Sequence, residues 1–364
     1  MKQMVCEMCG STDLIKQDGV FVCQTCGTKY SIEEAKKMMI EGNVDVSGST
    51  VKVDNTDNID NYLNIARNAY GANNKAEAEL YCNKILEIDN NHYAAWLLKG
   101  KAAGWQSTIA SLRIDEAINC FTKAVDNAPA DKLEEVKKEA ASETTSLTSA
   151  LITMCCKNFA NYPSKDNADN VVGAALLMKR ISIQLLLKCG TKTDDVSASL
   201  ASIINNSAIN AWENKVWPDY GGAANHPSKY AWEHFIEQGD AVILMLKTAV
   251  DICDTDDATD AVRYSNMISV MTKLCDSASY KYDPTWRWQI EYQLDETAKS
   301  SRNKMILEWH KAWNKIDSTH VVPSAETVSQ ASNRTATNEA NENACICIAV
   351  IVIVTIVIIM GIMS

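Results

Sequence analysis

Two C-x-x-C-G units stand near the start of the chain, Cys6-Glu-Met-Cys9-Gly10 and Cys23-Gln-Thr-Cys26-Gly27, with 13 residues between Cys9 and Cys23. Two residues between thiols allow a tight turn that aims both sulfurs at one point, and the glycine that follows tolerates the positive φ such a turn needs. Two turns of this kind complete a tetrahedron. Cys6, Cys9, Cys23 and Cys26 are therefore expected to hold one ion, and a redox dithiol would need only one of the pairs. Four thiolates leave no open coordination position, so the ion is expected to be structural zinc with no bound water for hydrolysis. Between the pairs, Asp18-Gly19 is a dipeptide favoured in type I′ hairpins. It predicts strands over 13–17 and 20–23 that carry the second turn back to the first.

These residues closely resemble the zinc ribbon of the transcription factor II B type, over about Met1 to Tyr30. Rubredoxin-like iron sites use a longer separation and an aromatic core, whereas only Phe21 and Tyr30 are nearby here. So small a unit buries too little apolar surface to fold alone, and metal binding is expected to supply its folding free energy. Residues 1–40 carry five lysines and five acids. That balance, and a whole-chain net charge of -11, argue against a phosphate-neutralising surface. A protein contact is the expectation for the ribbon. The alternative is a transcription-associated regulator contacting polymerase or nucleic acid.

Residues 31–60 read as a short helix and β linker. Ser31-Ile-Glu-Glu34 fits a capping box that opens a helix through Met39, closing at Gly42, and Val44 to Val53 alternates apolar and polar residues around Gly48. From Asn61 the apolar period becomes 3.6. Leu63, Ala66 and Tyr70 share one face, then Ala78, Cys82 and Ile85. After 39 residues the spacing returns with Trp96 and Gly100, then Ala117, Phe121 and Ala124. Residues 61–130 thus resemble tetratricopeptide repeats, in which small residues let paired helices approach and a neighbour's large side chain fills the gap. Lys99, Ala103 and Asn90 depart from that pattern, and 104–113 looks inserted. Two repeats cannot seal their own core, so 131–318 is expected to continue as further α-helical repeats, with helices near 131–160, 167–190, 194–217, 228–253, 257–279 and 284–317. Asp283-Pro284 is read as an N-cap with proline in the first turn, and Lys188-Cys189-Gly190 as a helix stop.

Residues 319–343, rich in Ser, Thr, Asn and Ala, read as a flexible polar linker. Ala344 to Met363 is 20 residues without a charge, long enough to cross about 30 Å of hydrocarbon as a helix. The expected topology is a single-pass C-terminal tail anchor with the N-terminal bulk in the cytoplasm, where the 13 cysteines stay reduced. No charged-then-apolar leader follows Met1. Cys345 and Cys347 at the membrane boundary read as small apolar residues, with acylation as the functional alternative.

The fold class expected is mainly α: a small N-terminal β zinc ribbon, a tetratricopeptide-like solenoid, and one C-terminal transmembrane helix. No catalytic constellation stands out. Trp212, Trp217, Trp232, Trp286, Trp288, Trp309 and Trp313 read mostly as core residues, the alternative being a peptide groove. His226 and His234 do not form an H-E-x-x-H site. Asp251, Asp254, Asp256, Asp257 and Asp260 lack the glycine and glutamate of an EF-hand and read as a solvated turn. The combination resembles a group of bacterial proteins with a zinc ribbon, a Val-Lys-Val-Asp-Asn segment (Val51 to Asn55) and helical repeats, a group that brings no activity with it. The functional expectation is a non-enzymatic, membrane-anchored adaptor that binds protein partners, without a small-molecule substrate or nucleic acid.

Overall fold

The computed structural model describes residues 6–17, 19–32, 34, 56–253 and 258–335. The chain divides into two compact units, Met1–Thr56 and Asp57–Ser364. In the first, β1 (Leu14–Gln17), β2 (Val20–Cys23) and β3 (Lys29–Tyr30) form an antiparallel sheet in the order β1-β2-β3. Leu14 pairs with Cys23, Gln17 with Val20, and Phe21 with Tyr30. Gly19, at φ +84°, turns β1 into β2. The core is minimal: Cys6, Cys23 and Tyr30 are buried, with Leu14 and Phe21 packed beside them. The capping box closes reciprocally. The Ser31 amide donates to Glu34 Oε2 at 2.8 Å, and the Glu34 amide donates to Ser31 Oγ at 3.2 Å. The remainder of the helix read through Met39, and the alternating segment 44–53, lie outside the described residues.

The second unit is mainly helical. Its helices are α1 (Thr56–Gly71), α2 (Lys75–Ile88), α3 (Tyr93–Gly104), α4 (Ile114–Asn127), α5 (Leu133–Asn161), α6 (Lys165–Cys189), α7 (Asp194–Ala211), the short α8 (Trp217–Tyr220), α9 (Lys229–Ile252), α10 (Ala258–Cys275), α11 (Glu296–Ile316) and α12 (Ala325–Ala331). Side-chain caps set many of the starts: Asn74, Ser164, Ser228, Asp295 and Ser324 each accept a first-turn amide. Gly190, at φ +72°, ends α6, and the Thr191 amide reaches back to the Leu186 carbonyl at 2.9 Å. Helices α2, α3 and α4 pack in sequence, and α1 shares a core with α2 and α3 through Leu63, Ala66, Cys82, Ile85, Ala95 and Leu98. Beyond them α5 packs on both α6 and α7, and α9 on α6, α7 and α10, so this part is a layered bundle under one continuous core.

Small residues set the closest approaches. A Cβ at Gly100 would lie 2.6 Å from the Phe121 ring, and one at Gly104 would lie 2.5 Å from Leu147. Phe121 and Leu147 are fully buried, each filling the space its glycine leaves.

Three segments differ from the sequence reading. The helix expected over 284–317 starts only at Glu296, because Ala278–Asp283 (β4) and Arg287–Gln293 (β5) form an antiparallel ribbon. Asp283 does not cap a helix; its Oδ1 accepts the amides of Thr285 and Trp286 and closes the ribbon's turn. The helix expected over 257–279 correspondingly ends at Cys275. Part of the segment read as a flexible linker is helical: Ser324 caps α12, Val328 is buried, and Ser332 Oγ donates to Asn303 Oδ1 of α11 at 2.6 Å. Among the described residues one helix, α6, is long and apolar enough to cross a membrane, and it packs into the bundle against α5 and α9. The apolar run 344–363 lies outside the described residues.

Candidate metal centre

The two C-x-x-C-G turns take the same local form. The Gly10 amide donates to the Cys6 carbonyl and the Gly27 amide to the Cys23 carbonyl, both at 2.8 Å. The amides of Cys6 and Cys23 in turn donate to the carbonyls of Ser11 and Thr28, at 2.8 and 3.0 Å. Gly10 and Gly27 sit at φ +69° and +75°, where a Cβ would strain the backbone. The turns are coupled, since the Gln24 amide donates to the Asp13 carbonyl at 2.9 Å and Thr25 Oγ1 to Ser11 Oγ at 2.7 Å.

The result brings Cys6, Cys9, Cys23 and Cys26 together, with every pair of sulfurs within 4.8 Å. Cys6 Sγ lies 3.5 Å from Cys26 Sγ, and Cys9 Sγ lies 3.6 Å from Cys23 Sγ. A tetrahedral ion with metal–sulfur bonds of about 2.3 Å would place its ligands about 3.8 Å apart, so one ion fits this cage. The separations are far too long for a disulfide, and all four cysteines are free. Among the described residues this is the one group of three or more His, Cys, Asp or Glu side chains placed to share a metal.

Hydrogen bonds support the cage. The Tyr30 hydroxyl is 3.1 Å from Cys6 Sγ and accepts the Glu7 amide at 3.1 Å. The Thr28 hydroxyl is 3.1 Å from Cys26 Sγ. Electrostatics point to a cation. The Tyr30 hydroxyl brings the Cys6 thiol down to about 6. At Cys9 the Ser11 amide acts in the same direction, but the neighbouring sulfurs of Cys26, Cys23 and Cys6, together with desolvation, push the thiol up to about 12. Four sulfurs this close do not all ionise on their own, and a divalent cation removes that conflict. Cys6 and Cys23 are buried and Cys9 and Cys26 exposed, so the cage lies at the surface of its unit.

Among the described residues the other cysteines form no second site. Burial pushes Cys82 and Cys156 up to about 12 and Cys120 and Cys275 up to about 11, which makes them inert core thiols. The tryptophans divide. Trp212, Trp232 and Trp309 are buried, and Trp212 and Trp217 pack on Phe235, whereas Trp286 and Trp288 stand partly exposed on the β4–β5 ribbon. His226 stacks on Trp288 and His234 on Tyr230, so the structure does not bring these histidines together at a metal site. Asp260 departs from the reading of a solvated turn: it is buried in an ion pair with Arg263. Asp254, Asp256 and Asp257 lie outside the described residues.

Two features escaped the sequence reading. In the sequence Tyr30 reads only as an aromatic residue near the cysteines, although its position four residues after Cys26, closing a strand, is a local signal. His310 Nδ1 and His320 Nε2 lie 2.8 Å apart, and His320 stacks on Trp313 at 3.7 Å. Their ten-residue separation across a helix end carries no sequence pattern. No protein-family model matches the chain, and no curated protein matches it.

Proposed function

We propose that this protein is a membrane-anchored, cytosol-facing adaptor. In this reading a structural zinc ribbon and a tetratricopeptide-like helical array are held at a bilayer by residues 344–363 and bind protein partners rather than turn over a substrate. The observation that carries it is the closed shell of four cysteine sulfurs, which gives a metal a folding role and leaves no coordination position for a reacting group. Four thiolates select zinc over harder divalent ions, and the ion would be held by Cys6, Cys9, Cys23 and Cys26.

The tetratricopeptide-like reading is supported by the seating of Phe121 over Gly100 and by a cleft on α1, α3 and α5. The cleft measures about 290 Å³ and is lined by Arg67, Tyr70, Leu97, Leu98, Lys101 and Glu139. It mixes apolar wall with both signs of charge, the character of a peptide-binding surface. Lys101 is pre-positioned by Glu139 and Glu143 at 2.8 and 3.2 Å, so its ammonium is ordered before any partner arrives. A tether to a bilayer raises the effective concentration of whatever the cleft holds.

The test is site-specific photo-crosslinking of the full chain in native membranes. A photoreactive residue at Arg67, in the cleft, is expected to capture a discrete protein that one at Leu187, exposed on α6, does not. Equal capture at both positions, or none, refutes the adaptor reading. Metal analysis of the purified chain is expected to give one zinc without visible absorption, and an iron-type spectrum would replace zinc with iron.

A further inference from the structure

The β4–β5 ribbon places its large aromatic residues outside the core. Tyr282 is 58% exposed, Trp288 42%, Tyr292 41% and Trp286 36%. Tyr282 pairs with Trp288 across the ribbon and their rings meet edge to face at 5.4 Å, while His226 stacks on Trp288 at 4.4 Å. A two-stranded ribbon is marginal by itself, and aromatic rings left partly in water forgo burial that a partner surface would supply. The ribbon's charges cancel, Lys281 and Arg287 against Asp283 and Glu291.

The ribbon's base is also where the described chain ends. The Thr335 amide donates to Asp276 Oδ1 at 2.7 Å, two residues before β4. The buried Lys299 ammonium donates to Asn333 Oδ1 at 2.7 Å and to Gln293 Oε1, at the end of β5, at 3.3 Å. Nine residue steps separate Thr335 from Ala344, a reach of at most about 30 Å even when fully extended. The ribbon itself is about 20 Å long. The ribbon's base is therefore held within about 30 Å, some one and a half ribbon lengths, of the point where the apolar run begins.

We infer that the β4–β5 ribbon is a membrane-interface finger, whose Trp286, Trp288 and Tyr282 side chains seat in the headgroup layer of the bilayer. This rests on the reading of 344–363 as an anchor in that bilayer. Tryptophan and tyrosine suit that layer because each joins an apolar ring to one polar group that stays wet. Because the ribbon is neutral overall, a zwitterionic lipid suffices and anionic lipid is not required.

The test uses the full chain reconstituted in phosphatidylcholine vesicles whose acyl chains carry bromine near the headgroup. Flotation and tryptophan emission are both measured. The run 344–363 contains no tryptophan, so all lipid quenching comes from the folded body. Wild type is expected to float and to be quenched. The Trp286→Ser/Trp288→Ser variant is expected to float equally but to lose at least about half of that quenching. Trp286→Ser alone, which alters only the turn, should give a smaller loss in the same direction and guards against misfolding of the double variant. Equal quenching in wild type and both variants, with flotation intact, overturns the finger and leaves the anchor standing. A wild-type chain that does not float overturns both.

Discussion

Tyr30→Phe is the sharpest probe of the metal centre, because it removes one oxygen and leaves the ring that fills the ribbon's core. Tyr30 is 7% exposed, and its hydroxyl faces both Cys6 Sγ and the Glu7 amide at 3.1 Å. A hydrogen bond to a charged acceptor contributes about 1.5–3 kcal/mol, and the Cys6 thiolate is such an acceptor. Loss of a group supporting a metal ligand typically weakens binding by about 10–100-fold, the same range expressed as affinity. Cys6 is buried, so water does not readily take the hydroxyl's place. The Glu7 side of the bond is exposed, and water there recovers part of the loss, which places the expected weakening near the lower end. Thr28→Val is the internal control. Its hydroxyl lies at the same 3.1 Å from a sulfur, but Cys26 is exposed and solvent can substitute, so the loss should stay below about threefold. Both are read by competing a chromophoric zinc chelator against the whole chain at neutral pH. Tyr30→Phe binding zinc within about twofold of wild type, or Thr28→Val losing as much as Tyr30→Phe, would refute the argument that burial decides the value of these bonds.

Three further outcomes follow from the same contacts. Stripping the metal with a chelator should unfold the strands that carry Lys16 and Lys29 and let trypsin cleave there, while helical circular dichroism persists, since the ribbon's core is five side chains and the helical unit has its own. Gly100→Ala should destabilise the helical unit by about 1 kcal/mol net, the Phe121 clash outweighing the helix propensity gained. In a Phe121→Ala background, itself about 3–5 kcal/mol less stable, the same change should turn stabilising, and a double-mutant cycle of apparent unfolding free energies reads the sign. Burial and the neighbouring His320 hold the His310 pKa below its ordinary value, so the folded state takes up a proton less readily than the unfolded chain. Stability should therefore decline as pH falls from about 6.5 toward the depressed value, and His310→Gln should flatten that slope in a thermal-melt series.

What was legible in the sequence was local. The metal cage needs four ligands within 21 residues, and the tetrahedral geometry of an ion fixes their spacing, so Cys6, Cys9, Cys23 and Cys26 could be read directly. The Ser31–Glu34 cap and the Gly190 stop are settled within a few residues of backbone and were equally readable. Asp283-Pro284 was ambiguous, because an aspartate before proline can open a helix or a turn. The deciding signal was period: Trp286, Trp288, Ile290 and Tyr292 alternate, as do Tyr280 and Tyr282, which is a strand's pattern and not a helix's. Helix α12 was hidden for a different reason. Seven residues with a single aliphatic side chain have no helical drive of their own, and what orders them is the burial of Val328 in the core and the bond from Ser332 to Asn303, 29 positions away.

On the proposed reading of 344–363 as an anchor, that docked helix changes how far the body can stand from it. A linker of 25 residues would allow about 85 Å of fully extended chain, whereas the nine steps from Thr335 allow about 30 Å. The reachable volume falls about twentyfold, and the concentration of the helical unit near its anchor point rises to match. Val328→Asp tests this, because a carboxylate is costly in the site where Val328 is 5% exposed and α12 should detach without disturbing the caps of α11. In the brominated vesicles the variant should still float while its tryptophan quenching falls toward that of Trp286→Ser/Trp288→Ser, since the finger would no longer be leashed to the headgroups. Flotation with wild-type quenching would show that the ribbon seats itself unaided, and the role assigned to α12 as the device that shortens the leash would be wrong.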